Sequence, residues 1–134
     1  MNKIKVLIAD DNKIISENIK RITDKIEEIE IVGIACDGEE EYNFIKQFEP
    51  DFLISDVQMP KMTGIEVLER LSEENFKEIP TTVFITGENI DIFNNTTIIN
   101  NIYDIISKPF YNDRILGMMK NYIYEVNQYK RIRI

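Results

Sequence analysis

Five short, near-continuous apolar runs divide this chain, at 4–9, 31–35, 52–55, 82–85 and 105–106. A strand that is apolar on successive residues, rather than on alternate ones, has to be buried on both faces, and parallel strands joined by helical crossovers are the arrangement that covers both. The segments between the runs fit that requirement. Ile15, Ile19, Ile22, Ile26 and Ile29 follow the first run at spacings of three and four, which predicts a helix with those isoleucines on its inner face. Tyr42, Ile45 and Phe48 follow the second run, Ile65, Leu68 and Leu71 the third, and Ile115, Met119, Tyr122, Ile123 and Val126 the fifth. A helix is expected after the fourth run too, although "NNTTIINN" at 94–101 is an odd composition for one. Five strand–helix units make a doubly wound, five-stranded parallel α/β sandwich with helices on both faces.

The chain of 134 residues is about one domain and long enough to bury a core. Its 24 acidic and 16 basic residues give a net charge of −8, which opposes direct nucleic-acid binding and suits a cation or a basic partner. One cysteine, Cys36, excludes an internal disulfide, and no apolar run approaches the roughly 18 residues of a membrane span. The opening "MNKIKVLIADD" reads as a first strand rather than a signal peptide, so a cytoplasmic protein is expected. There is no histidine, and any phosphoryl chemistry here must run on carboxylates, hydroxyls and lysine.

A doubly wound sheet, expected here in the flavodoxin-like order 2-1-3-4-5, places its functional crevice at the carboxyl ends of the strands. Asp10 and Asp11 stand at the end of the first strand, Asp56 at the third, Thr86 at the fourth, and Lys108 with Pro109 after the fifth. Carboxylates about 5 Å apart repel by roughly 3 kcal/mol at an effective dielectric near 20, so something cationic must sit among them. Lys108 supplies one charge. The rest suits a divalent ion, and an all-oxygen donor set without His or Cys favours Mg²⁺.

These residues resemble a two-component response-regulator receiver domain, through "IADDN" on the first strand, "LISDVQMPKMTGIEVL" around the third, "VFITG" on the fourth and "IISKPF" on the fifth. The resemblance covers residues 3 to about 126, and four motifs in the right order make it specific. It implies that Asp56 is the phosphoacceptor, that Asp11, Asp56 and the backbone carbonyl of Gln58 bind Mg²⁺, and that Asp10 binds it largely through water. It implies that Thr86 hydrogen-bonds the phosphoryl group, that Lys108 pairs with it, and that the Lys108–Pro109 peptide is cis. The implied partner is a sensor histidine kinase or a phosphotransfer protein, with self-association on phosphorylation through the fourth helix, fifth strand and fifth helix. Residues 1–126 are then the receiver and 127–134 a tail or linker stub, beyond which an effector domain, including one that binds DNA, could follow. One position departs from the pattern: Ile105 stands where an aromatic that swings inward is usual. Tyr103 is expected on the same side of the strand as Ile105, about 6.6 Å along it, too far to substitute.

Each residue has a plainer reading when taken alone: Asp10 and Asp11 as helix caps, Asp56 as a turn residue before Pro60, Thr86 as a strand end, Lys108 as a solvated lysine. Four adjacent strand ends carrying them together favour a site. A Mg²⁺-dependent phosphatase of the haloacid-dehalogenase type would want an Asp-x-Asp pair on its nucleophile strand, where this chain offers Asp10, Asp11 and Asn12 or Asp56, Val57 and Gln58, and a substrate cap for which there is no insertion. A flavodoxin-like electron carrier would want a phosphate-binding loop after the first strand, where carboxylates stand instead.

Overall fold

The computed structural model describes residues 2–133. Five parallel strands, β1 (Ile4–Ala9), β2 (Ile29–Ala35), β3 (Phe52–Asp56), β4 (Thr81–Thr86) and β5 (Ile102–Ser107), form one sheet in the order β2-β1-β3-β4-β5. The α-helices are α1 (Lys13–Thr23), α2 (Gly38–Phe48), α3 (Gly64–Glu73) and α4 (Asn112–Arg133). Residues 127–133 continue α4 without a break, and Ile134 lies outside the described residues.

Alternation along the buried strands divides the interior into two layers. Val6, Ile8, Phe52, Ile54, Val83, Ile85 and Ile106 face α1 and α4, where they meet Ile19, Ile22, Ile115 and Met119. Leu7, Leu53 and Phe84 face the opposite way and pack on Tyr42, Ile45, Val67, Leu68 and Leu71 of α2 and α3. Removing a side chain of this size fully from water stabilises by about 1.5–3 kcal/mol, which is why the apolar runs, and not local propensity, decide where the strands lie.

Helix starts are set by side-chain caps, each typically worth about 1 kcal/mol. Asn12 accepts from the amides of Ile14 and Ile15, and Asp37 accepts from Glu40. Thr63 and Glu66 form a reciprocal capping box at α3. The cap on α1 is therefore Asn12, and the carboxylates of Asp10 and Asp11 are not spent on it.

The structure corrects the sequence reading at three places. Ile26 and Ile29 are buried as expected but lie outside the first helix, which ends at Thr23. Two three-residue turns, Ile26 N–H to Thr23 O at 3.0 Å and Ile29 N–H to Ile26 O at 3.2 Å, preserve the spacing that suggested more helix. The fourth crossover carries no α-helix but two 3₁₀ turns, Ile90–Phe93 and Ile99–Asn101, which anchor Phe93 and Ile98 in the core through a stretch rich in Asn and Thr. Finally, β5 shifts register against β4: Thr82 pairs with Ile102, but Val83 pairs with Asp104. The extra residue is Tyr103, and it inverts the alternation beyond it. Tyr103 packs against Phe52 and Tyr122 on the α4 side while Ile105 packs on the opposite layer, so the two do not share a face.

Candidate functional site

The order of the strands sets β1 beside β3, and their paired ends, Ala9 against Ser55, bring the residues that follow to one edge. Asp10 continues from β1 with its amide bonded to the Ala35 carbonyl at 3.0 Å. Asp56 closes β3, Thr86 closes β4, and Lys108 follows β5 with its amide bonded to the Thr86 carbonyl at 2.9 Å. The Lys108–Pro109 peptide is cis, as the resemblance implies.

Lys108 joins the two buried carboxylates. Its Nζ donates to Asp10 Oδ2 at 3.0 Å and to Asp56 Oδ2 at 2.9 Å, with Asp10 only 2% and Asp56 only 7% exposed. Burial acts against the ammonium, but the hydrogen bonds to Asp56 and Asp10 outweigh it and hold Lys108 above its usual range. Burial pushes the Asp10 carboxyl up, opposed by the Asn12 amide at 2.9 Å and by Lys108. Asp11 is exposed, yet Asp10, Asp11 and Asp56 each offer a carboxylate oxygen within 4.8 Å of the others. Three carboxylates against one ammonium leave an excess of negative charge, and such an oxygen cluster could hold a hard divalent ion. The donor chemistry therefore fits Mg²⁺.

The remaining predicted residues sit on the rim. Gln58 is exposed in the loop directly after β3, and among the described residues its carbonyl accepts no backbone hydrogen bond. Thr86 is 2% exposed; its hydroxyl accepts from the Glu88 amide at 3.0 Å and donates to no other group among the described residues, so its proton is free to serve an incoming acceptor. Ile105 is half-buried packing, not a ring poised between two positions.

The loop between β3 and α3 is held tightly. Gly64 begins α3 where a Cβ atom would lie 2.4 Å from the Asp56 carbonyl oxygen and 2.8 Å from Ser55 Oγ, so only glycine allows the helix to approach. Pro60 O accepts from Gly38 and Met62, and Lys61, at a left-handed φ of 75°, pairs with Asp37 at 3.5 Å. Backbone held in that region clusters at functional loops. Sequence reasoning passed over Ser55 and Glu41, both fully buried behind this loop. The signal for Glu41 was its phase: it lies four residues before Ile45, on the buried stripe of α2.

Comparison with known proteins places the chain in a family. It belongs to the response regulator receiver domains, whose family model matches residues 6–120. The transcriptional regulatory protein NatR of Bacillus subtilis is 27% identical over 123 residues, covering 90% of this chain and 50% of NatR. A protein-glutamate methylesterase/protein-glutamine glutaminase of Trichodesmium erythraeum is 37% identical over 84 residues, covering 63% of this chain and 24% of that protein. The chain thus spans half or less of the length of these curated relatives. Among solved structures, a chain of the CheX–CheY–BeF₃–Mg²⁺ complex of Borrelia burgdorferi superposes with a TM-score of 0.78 at 25% identity, covering 91% of this chain and 90% of that one.

Proposed function

We propose that this receiver domain takes a phosphoryl group onto Asp56 from a phosphohistidine on a partner, a sensor histidine kinase or phosphotransfer protein, and passes the signal on by changing shape. The observation that carries the reading is the arrangement of two buried carboxylates bridged by one lysine beside a third carboxylate at the carboxyl edge of the sheet. The chain contains no histidine, so the donor histidine must come from elsewhere.

In this mechanism an oxygen of the Asp56 carboxylate attacks phosphorus while the bond to the donor imidazole breaks, and the imidazole leaves with the electron pair and picks up a proton. Little proton transfer is asked of this protein; charge neutralisation and positioning are. Bound Mg²⁺, held by Asp10, Asp11, Asp56 and the Gln58 carbonyl, would neutralise charge on the phosphoryl oxygens. Lys108 stands within reach of Asp56 and is kept protonated by both carboxylates. Thr86 has a hydroxyl proton to offer the phosphoryl oxygen. The acyl phosphate formed at Asp56 carries roughly 1.5–2 negative charges where the carboxylate carried one, which draws Thr86 and Lys108 inward and shifts the segments that follow Thr86 and precede Lys108. Ile105 is β-branched and apolar, and stays as packing.

On this reading the domain acts as a signalling part in the cytoplasm rather than on a substrate of its own, and among the described residues no helix is long and apolar enough to cross a membrane. Residues 1–126 would be the receiver and 127–134 its exit toward an effector or partner, with self-association through the β4–β5 crossover, β5 and α4 as one output. The solved Borrelia complex, which contains BeF₃ and Mg²⁺, supports using that phosphate mimic as a probe.

Asp56→Asn keeps the shape of the side chain and removes the nucleophilic oxygen charge. Incubation with a small phosphoramidate donor and Mg²⁺ should give a phosphoryl adduct by mass spectrometry on the wild type and none on the variant. An equal adduct on both would move the phosphoacceptor away from Asp56.

A further inference from the structure

Glu41 is a carboxyl group for which the site just described has no use. It lies on the first turn of α2, at 0% exposure, and among the described residues neither of its oxygens meets a hydrogen-bond partner. Leaving a buried polar group unpaired costs about 1–3 kcal/mol, so the position is not one that a glutamate fills for stability. Burial pushes its carboxyl up to about 8, with the Ser55 hydroxyl opposing and the Asp56 charge reinforcing, so at neutral pH it is an acid with a proton to give.

Ser55 is the neutral polar group that acts on the Glu41 carboxyl. Its hydroxyl donates to the Asp56 carbonyl oxygen at 2.9 Å, and among the described residues no donor reaches its own oxygen. A hydroxyl has one proton but two acceptor lone pairs, so a donor is what Ser55 lacks and what a neutral Glu41 has. On the α3 side Gly64 has no side chain to offer, and a Cβ there would meet Ser55 Oγ at 2.8 Å. The first turn of α2 is in turn tied to the loop beyond Asp56, through Gly38 N–H to Pro60 O at 3.1 Å and the Lys61–Asp37 pair. A shift of that loop therefore moves Glu41 relative to Ser55.

We propose that Glu41 is a positioning residue for Asp56: as a neutral acid it donates to the Ser55 hydroxyl when the loop between β3 and α3 rearranges, and through Ser55 it fixes the backbone carbonyl of Asp56 while the side chain carries a phosphoryl group. The proposal rests on Asp56 being the phosphoacceptor. A phosphoryl group on Asp56 adds negative charge to a residue whose charge already acts on Glu41, and like charge keeps the proton on Glu41, so the donor is present when it is needed. Glu41 touches neither the phosphoryl group nor the ion in this scheme, and acts only through Ser55.

The test uses the whole chain as wild type, Glu41→Gln, which keeps a donor, and Glu41→Met, which keeps the volume without one. With phosphoramidate and Mg²⁺, Glu41→Gln should phosphorylate within about twofold of wild type and Glu41→Met about tenfold more slowly, the equivalent of one hydrogen bond, while melting no lower than wild type. Equal rates in all three, with wild type phosphorylated on Asp56, would overturn the role of Glu41 alone; no phosphorylation of wild type would overturn the reading of the site and this inference with it. Should Glu41→Met fail to fold, the carbon-13 resonance of the Glu41 carboxyl in wild type decides: an acid-form shift at pH 7 that moves when beryllofluoride and Mg²⁺ are added supports the proposal. A resonance that ignores them overturns it.

Discussion

At the scale of single residues, the consequences of burial are opposite for Glu41 and Thr86. The Glu41 carboxyl ordinarily titrates near 4.5 and is pushed up to about 8 in the fold. Below pH 4.5 both folded and unfolded chains hold the proton, and the group has no effect on stability. As pH rises, the unfolded chain releases it and the folded one does not, so stability falls from pH 4.5 up to about 8, with a ceiling of about 5 kcal/mol. Glu41→Gln removes this loss. Urea denaturation at pH 5 and pH 8 should show the variant gaining on wild type as pH increases, by some kcal/mol at the upper end; parallel curves at both pH values would mean that Glu41 is ionised in the fold. Thr86, by contrast, is buried with a satisfied acceptor and a free proton. Thr86→Ala should still accept phosphate within a few-fold, because Lys108 stays in place, but should lose most of the amide shift changes that beryllofluoride induces in wild type. Ile105→Val should keep them. The full wild-type pattern in Thr86→Ala would transfer the switch to another residue.

At the scale of elements, legibility followed the kind of signal. The strands were readable because burial on both faces writes itself as consecutive apolar residues, and Ile4–Ala9 was found end to end. The carboxylates, Thr86 and Lys108 were readable because parallel topology alone brings strand ends together. Tyr103 was misplaced because a bulge is set by pairing between strands, which no single strand's alternation records. Ile26 and Ile29 mimicked a helix because three-residue turns keep its phase. The β4–β5 crossover gave only a weak expectation, since Asn and Thr compete with helix and favour caps and short turns. Glu41 was hidden in three successive glutamates that read as an acidic helix start, a pattern that favours the helix whichever way each side chain points. The start of α3 gives a prediction of its own. Gly64→Ala would place a methyl group 2.4 Å from the Asp56 carbonyl oxygen, a rigid backbone atom. We expect a loss of about 1–3 kcal/mol in denaturant stability, together with slower phosphorylation because Asp56 is displaced. A variant as stable as wild type would show that the loop yields easily, and would weaken the case for a tightly held site.

For the molecule as a whole, the acidic edge of the sheet links ion binding to folding. Without an ion, the fold holds Asp10, Asp11 and Asp56 oxygens within 4.8 Å of one another with one ammonium between two of them, whereas the unfolded chain lets them separate. An ion bound only by the folded state stabilises it by RT ln(1 + [Mg²⁺]/Kd), about 2.7 kcal/mol at a concentration one hundred times Kd. For a domain of this size each kcal/mol corresponds to a rise of about 3–5 °C in Tm. Melting temperature should therefore climb with Mg²⁺ over the millimolar range in wild type. Asp11 is the member of the cluster that can be removed without opening the core, because it is exposed and caps no helix. Asp11→Ala should fold as well as wild type in chelator, since one repelling charge is gone, yet respond to Mg²⁺ much less. Parallel rises in both proteins would place the ion elsewhere on a surface whose net charge is −8. A rise in wild type alone would tie the cation to the same edge that holds Asp56, and with it the dependence of phosphorylation on Mg²⁺.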